Sequence, residues 1–300
     1  MPESIRKSYI ILLNTILMLH KLKVILEMVK IEHTLFAMPF LYSGAILASD
    51  GFPSLWVLFW ITLGLFSARS AAMSLNRLID RNIDALNPRT RERAIVTGAL
   101  TPGEVKVIIA ISLLVLLLCA AMLNTFTLEL YPLAVAIIWL YPYTKRFTWL
   151  SHVALGFALG MAPAGAWAAV KASLDVPAIL LALSVVAWVA GFDIIYALQD
   201  IEFDRKHRLF SIPAIFGVKK SLIISSFFHS LMFIFLFALY FVTSLGGIYL
   251  LGLAVIAFLL FYEHRLISPE NISRAGVAFF NINAAISFVL FLAIALDIFL

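Results

Sequence analysis

Long apolar runs separated by short polar loops dominate this chain. A membrane-crossing helix needs about 20 mostly apolar residues. Nine stretches meet or approach that length: 34–50, 54–75, 105–124, 128–142, 150–171, 177–198, 220–244, 247–263 and 277–299. The fold predicted is all-α, with nine transmembrane helices. Ahead of the first span, Leu22, Ile25, Leu26 and Val29 repeat at helical spacing, with Lys21, Lys23, Glu27 and Lys30 between them. That pattern predicts an amphipathic helix lying on the membrane surface. Residues 9–19 form a shorter apolar stretch after Arg6 and Lys7, with no small-residue cleavage site behind it. They are read as an interfacial or poorly ordered lead-in rather than a signal peptide.

Composition fits this picture. The chain is 63% hydrophobic and 13% charged, with a mean hydropathy of +1.03. Soluble domains carry about 25% charged residues. The net charge of +5 is assigned to orienting loops rather than to nucleic acid. Basic residues crowd the N-terminal lead and the loops after the second, fourth, sixth and eighth spans. The loops on the other side hold only Lys171. By the positive-inside rule the N-terminus is cytoplasmic, and an odd span count places Leu300 outside. The single cysteine, Cys119, forms no intrachain disulfide. The organisation expected is a lead at 1–32, then one membrane domain at 33–300.

Two of the cytoplasmic loops resemble each other. "DRNIDALNPRTRERAIVTG" runs from Asp80 to Gly98, and "DIEFDRKHRLFSIPAIFG" from Asp200 to Gly217. Each opens with D-x-x-x-D, passes through basic residues and ends on glycine, a weak internal repeat. Residues four apart share a helix face. Asn76, Asp80 and Asp84 therefore make one stripe of oxygen ligands, and Asp200 and Asp204 another. Such stripes repel themselves unless a cation intervenes. Oxygen donors without His or Cys suit Mg²⁺ or Ca²⁺. Arg77, Arg81, Arg89, Lys145 and Arg146 are placed to hold phosphate.

The segments "NRLIDRNIDALNPRTRERAIVTG" and "YALQDIEFDRKHRLFSIPAIFG" resemble the two aspartate-rich motifs of the UbiA superfamily of intramembrane prenyltransferases. "YPYTKRFTWLSHVALG" is similar to the family's segment between them. The resemblance implies nine helices around a central cavity open to lipid. It also implies transfer of a polyprenyl group from its diphosphate to an aromatic acceptor, with two Mg²⁺ ions as cofactor. By position, Asn76, Asp80 and Asp84 would serve one ion, and Asp200 and Asp204 the other. Lys145 and Arg146 match the family's basic pair near the diphosphate. Many members carry Asn-Asp where this chain has Asn76-Arg77, so one carboxylate is missing and Arg77 is expected to contact phosphate instead.

In this chemistry an allylic cation forms as diphosphate leaves, in a site kept from water. Tyr143, Tyr196 and Phe203 are the aromatic candidates for stabilising it. Arg69 lies seven residues before Asn76, and Asp193 seven before Asp200. Charges inside a span need partners, so these two are expected to approach each other, or Arg69 to meet an acceptor carboxylate. Asn281 and Asn283 are expected in helix–helix hydrogen bonds. His33 and His229 are assigned no chemistry, and His152 is read as a packing residue.

The leading reading is a 4-hydroxybenzoate-type polyprenyltransferase of quinone biosynthesis in a bacterial-type inner membrane, without an obligate protein partner. The alternative acceptor is a dihydroxynaphthoate, in a menaquinone route. Protoheme farnesyltransferase fits less well, because "TWLS" follows the basic pair where "TPQN" is usual. A secondary transporter would place its acids at midplane rather than at helix ends.

Overall fold

The computed structural model describes residues 15, 18–30, 34–268 and 281–300. Most of residues 1–17, His33, and the start of the last predicted span lie outside the described residues. Residues 18–29 form helix α1. The elements that follow are α2 (Thr34–Ser49), α3 (Leu55–Leu86), α4 (Ala94–Thr97), α5 (Pro102–Leu123), α6 (Thr125–Thr144), α7 (Ser151–Lys171) and α8 (Val176–Ala197). Then come α9 (Ile201–Lys206), α10 (Ile212–Phe241), α11 (Gly247–Leu266) and α12 (Asn283–Phe299).

Among the described residues, seven helices are long and apolar enough to cross a membrane: α3, α5, α6, α7, α8 continued to Lys206, α10 and α11. Two shorter apolar helices, α2 and α12, stand where the first and last spans are predicted. The all-helical membrane fold is as expected; the length criterion is met by seven of the nine predicted spans.

Helix starts follow their capping residues. Ser54 accepts a hydrogen bond from the Val57 N–H at 3.3 Å. Thr101 and Glu104 form a reciprocal capping box at α5. Asn124 caps α6 through the Thr127 N–H at 2.8 Å, and its amide reaches the Ala168 carbonyl of α7 at 2.9 Å. Such caps satisfy backbone donors that the helix itself leaves open.

The α8 span is the centre of the bundle. In its apolar window 72% of residues are buried, against 11–39% for the other six long helices. Apolar residues cover it all round, as a helix enclosed on every side requires. Gly156 lets α7 lie against it: a Cβ there would sit 2.5 Å from the Val186 carbonyl oxygen. Small residues at such contacts allow close backbone approach, which drives helix association in lipid.

Helix α1 lays Met28 and Val29 into a cluster with Ala71, Leu75 and Leu100, while Leu22 stays half-exposed. Lys21 is ion-paired with Glu104 of α5. The amphipathic segment thus packs against the middle of α3 and the start of α5.

Two predicted boundaries moved. Helix α3 continues eleven residues beyond the apolar run, ending at Leu86 before Asn87-Pro88. Proline disfavours helical geometry in the residue before it. Helix α10 starts at Ile212, eight residues before its predicted span, and contains Gly217 at φ 74°, ψ 172°. Residues other than glycine are strained there, so the helix is broken at that point.

Candidate active site

The extension of α3 carries the first motif as one continuous helical stripe. Asn76 Nδ2 donates to Asp80 Oδ2 at 3.2 Å, and Arg77 Nη1 donates to Asn76 Oδ1 at 3.1 Å. Asp80 is 1% exposed and meets two cations from the α6–α7 turn: Lys145 Nζ at 2.5 Å and Arg146 Nη2 at 3.0 Å. One turn on, Asp84 pairs with Arg93 Nη1 at 2.6 Å. Removing one partner of a buried ion pair typically costs about 3–5 kcal/mol, so these carboxylates need their cations.

The second motif follows α8. Asp200 is clamped by Arg89, whose Nε and Nη2 reach its two oxygens at 3.0 and 2.5 Å. The same guanidinium donates to the Tyr196 hydroxyl at 3.0 Å and lies 5.2 Å from that ring's centroid. Burial works against the Arg89 charge, but hydrogen bonds to Asp200 prevail and hold its pKa above the ordinary arginine value. Asn87 Nδ2 also donates to Asp200, at 3.1 Å, joining the two motifs directly. Asp204 accepts from the Ser211 hydroxyl at 2.8 Å. Phe210 N–H donates to the Lys145 carbonyl at 2.7 Å, tying the segment between α9 and α10 to the α6–α7 turn.

Beneath this cluster lies a cavity of about 1020 Å³, walled chiefly by apolar side chains of α2, α3, α5, α6, α7 and α8. Asn76, Arg77, Arg89, Arg93 and Tyr196 stand at its polar end. The motif aspartates themselves are not on its wall. Asp80, Asp84 and Asp200 are each held by basic side chains, and of these Arg89 and Arg93 reach the cavity wall and present positive charge to it. Arg69 and Asp193 both line the cavity. The hydrogen-bond partner of Asp193 is His152 rather than Arg69: His152 Nδ1 lies 2.7 Å from Asp193 Oδ2.

The oxygen donors fit Mg²⁺. Among the described residues no three His, Cys, Asp or Glu side chains converge to enclose an ion. Mg²⁺ does not require that, since it takes one or two carboxylates and completes its shell with water and substrate phosphates.

Residues 37–292 match the UbiA prenyltransferase family. The chain belongs to the UbiA prenyltransferase family. It is 32% identical over 250 residues to a 4-hydroxybenzoate octaprenyltransferase of Salmonella paratyphi C, spanning 83% of this chain and 86% of that one. A UbiA homolog from Aeropyrum pernix superimposes with a TM-score of 0.80 at 34% identity, covering 89% of this chain and 98% of that one. The fold is also that of a UbiA homolog from Archaeoglobus fulgidus bound to DMAPP and Mg²⁺, with a TM-score of 0.64 at 19% identity over 89% and 98% of the two chains. This chain is therefore a prenyltransferase and an integral membrane protein.

Several contributors to this cluster escape sequence reasoning. Asn87, Arg93, Ser211 and His152 all bond to residues of interest, yet their partners lie between 7 and 113 positions away. The Asn87-Pro88 pair marks a turn and is a signal for the first of them. Of the three aromatic candidates, Tyr196 lines the cavity. Phe203 instead stacks on His207 with centroids 4.1 Å apart, and Arg146 lies 5.6 Å from the centroid of the Tyr143 ring. Trp188, Phe192 and Tyr141 are cavity-lining aromatics that sequence reasoning passes over. Asn283 makes the expected interhelical bonds, accepting from Trp188 Nε1 at 2.6 Å and donating to Glu263 Oε1 at 2.9 Å.

Proposed function

We propose that this UbiA enzyme transfers a polyprenyl group from its diphosphate to an aromatic acid of the 4-hydroxybenzoate class, with Mg²⁺, releasing diphosphate. The carrying observation is the junction of two acid–base clusters, from α3 and from the end of α8, directly over an apolar cavity that also holds Arg69. The relative named 4-hydroxybenzoate octaprenyltransferase supports the acceptor class. The Archaeoglobus fulgidus homolog bound to DMAPP and Mg²⁺ supports the donor and the metal.

In this reading Asn76, Asp80 and Asp84 hold one Mg²⁺, and Asp200 and Asp204 the second. The ions supply charge neutralisation for the departing diphosphate. Arg77, Arg89 and Arg93, at the polar end of the cavity, are fixed donors for phosphate oxygens, preorganised by their bonds to Asn76, Asp200 and Asp84. Lys145 and Arg146 hold Asp80 in place. The prenyl tail lies in the apolar cavity, where water is kept from the allylic centre. Tyr196 offers its ring to positive charge at the reacting carbon. Arg69, about 10 Å deeper along α3 than Asn76 at 1.5 Å per residue, takes the acceptor carboxylate. The enzyme sits in a bacterial-type inner membrane with this site on the cytoplasmic side.

The test uses purified protein with octaprenyl diphosphate, Mg²⁺ and a panel containing 4-hydroxybenzoate and 1,4-dihydroxy-2-naphthoate, with products read by mass spectrometry. Prenylated 4-hydroxybenzoate, lost on chelation with EDTA, is expected. A prenylated naphthoate alone reassigns the acceptor, and no diphosphate release with any acceptor overturns the reading.

A further inference from the structure

Joining an allyl group to an aromatic ring leaves a proton to remove, and the cavity offers few groups able to take it. Arginine cannot act as a base. The Tyr141 hydroxyl donates to the Ala72 carbonyl at 3.0 Å. Asp80, Asp84 and Asp200 are each held by cationic side chains, and Asp204 by Ser211. Glu27 and Glu92 lie at the cavity edge, with side chains 63% and 82% exposed.

Asp193 differs from all of these. It stands on the cavity wall, inside α8, with its side chain 23% exposed. One oxygen, Oδ2, is bonded to His152. The other has no protein hydrogen-bond partner among the described residues. Among the described residues Asp193 forms no ion pair with Arg or Lys, and an ionisable group inside a membrane span is costly and marks a functional site. His152 is 4% exposed and is pinned from both sides. The Ile212 N–H donates to its Nε2 at 3.3 Å, so the proton of the imidazole is on Nδ1 and points at Asp193. A neutral histidine held this way orients a carboxylate without neutralising it.

We propose that Asp193 is the base that takes the ring proton from the aromatic acceptor, and that His152 is the residue that positions it. The inference rests on the prenyl-transfer reading above. The allylic C–O bond breaks and its electron pair leaves with diphosphate. A π pair of the acceptor ring forms the new C–C bond. The C–H pair at that ring carbon then restores aromaticity as the proton passes to Asp193 Oδ1. His152 keeps its proton throughout, because Nε2 is committed to the Ile212 amide.

The experiment compares unmodified enzyme, Asp193→Asn and His152→Phe, each full-length in detergent with Mg²⁺. The acceptor is 4-hydroxybenzoate, with or without deuterium at the ring positions beside the hydroxyl. Binding of a non-reactive thiodiphosphate donor analogue checks that each variant is folded. Asp193→Asn should lower kcat about a hundredfold or more, the ordinary contribution of a general base, with the KM for the donor unchanged. Proton loss becomes rate-limiting without its base, so a primary isotope effect absent from the unmodified enzyme should emerge. His152→Phe should show a smaller loss of kcat and the same emerging isotope effect, which a purely structural role does not produce. Donor binding and a kcat loss without any isotope effect in either variant would overturn the proposal. No turnover by the unmodified enzyme with any acceptor would instead overturn the prenyl-transfer reading beneath it.

Discussion

Arg89 shows how much of this site hangs on single side chains. One guanidinium grips both oxygens of Asp200 and the hydroxyl of Tyr196. Lysine carries the same charge but cannot make the planar two-point contact. Arg89→Lys should lower kcat/KM for the prenyl diphosphate about tenfold, since a hydrogen bond to a charged group is worth about 1.5–3 kcal/mol. Steady-state kinetics in donor concentration reads this; an unchanged kcat/KM would detach Arg89 from the donor site. Local spacing shows Asp80, Asp84, Asp200 and Asp204, because i, i+4 periodicity is printed in the sequence. It does not show that Asp84 is held by Arg93 or Asp193 by His152. Those pairings depend on how distant loops and helices meet, and an arginine in a basic loop or a histidine near a span carries no mark of its partner.

The helices themselves were largely legible, with their limits set by what hydropathy measures. An apolar run reports contact with lipid, so the predicted second span stops at residue 75 where polar side chains begin. The backbone has no reason to stop there and continues to the Asn87-Pro88 turn, which is what lines Asn76, Asp80 and Asp84 along one face. Gly98 and Gly217, the last residues of the two similar loops, both adopt positive φ, at 81° and 74°. Their ψ values differ, 4° and 172°, so the repeat ends on the same residue type in two backbone roles, a helix C-cap and a helix break. Helix α7 offers a different test. Gly165 lines the cavity, and a Cβ built there meets nothing within 4 Å. It lies about 20 Å along α7 from Ser151 at 1.5 Å per residue, far from the phosphate end. Gly165→Phe should cut turnover of octaprenyl diphosphate while sparing geranyl diphosphate, measured as the ratio of their kcat/KM values; equal effects on both would remove this part of the cavity from the tail's path. Gly156→Leu, by contrast, forces α7 away from the Val186 carbonyl. It should destabilise by at least the roughly 1–3 kcal/mol typical of overpacking, seen as a lower thermal midpoint in detergent.

For the whole molecule, the sidedness of the basic loops makes a sharp prediction. Lys206 belongs to the positive side and Ala172 to the other. The one native thiol, Cys119, is 2% exposed and gives little background. In spheroplasts, an impermeant maleimide should label Ala172→Cys and leave Lys206→Cys unlabelled until the membrane is opened. The reverse pattern would invert the proposed topology and put the diphosphate site on the wrong side of the membrane.

The bond between Asn87 and Asp200 spans 113 residues. Its consequence lies in biosynthesis. Asp84 can find Arg93 while the nascent chain is still short, and Asp80 gains Lys145 and Arg146 once α6 has inserted. Asp200 then emerges to meet an arginine that is already waiting. If the pairs form in chain order, charge beside the membrane is compensated in step with translation, and the Asn87–Asp200 junction closes only after Asp200, two thirds of the way along the chain, has been made.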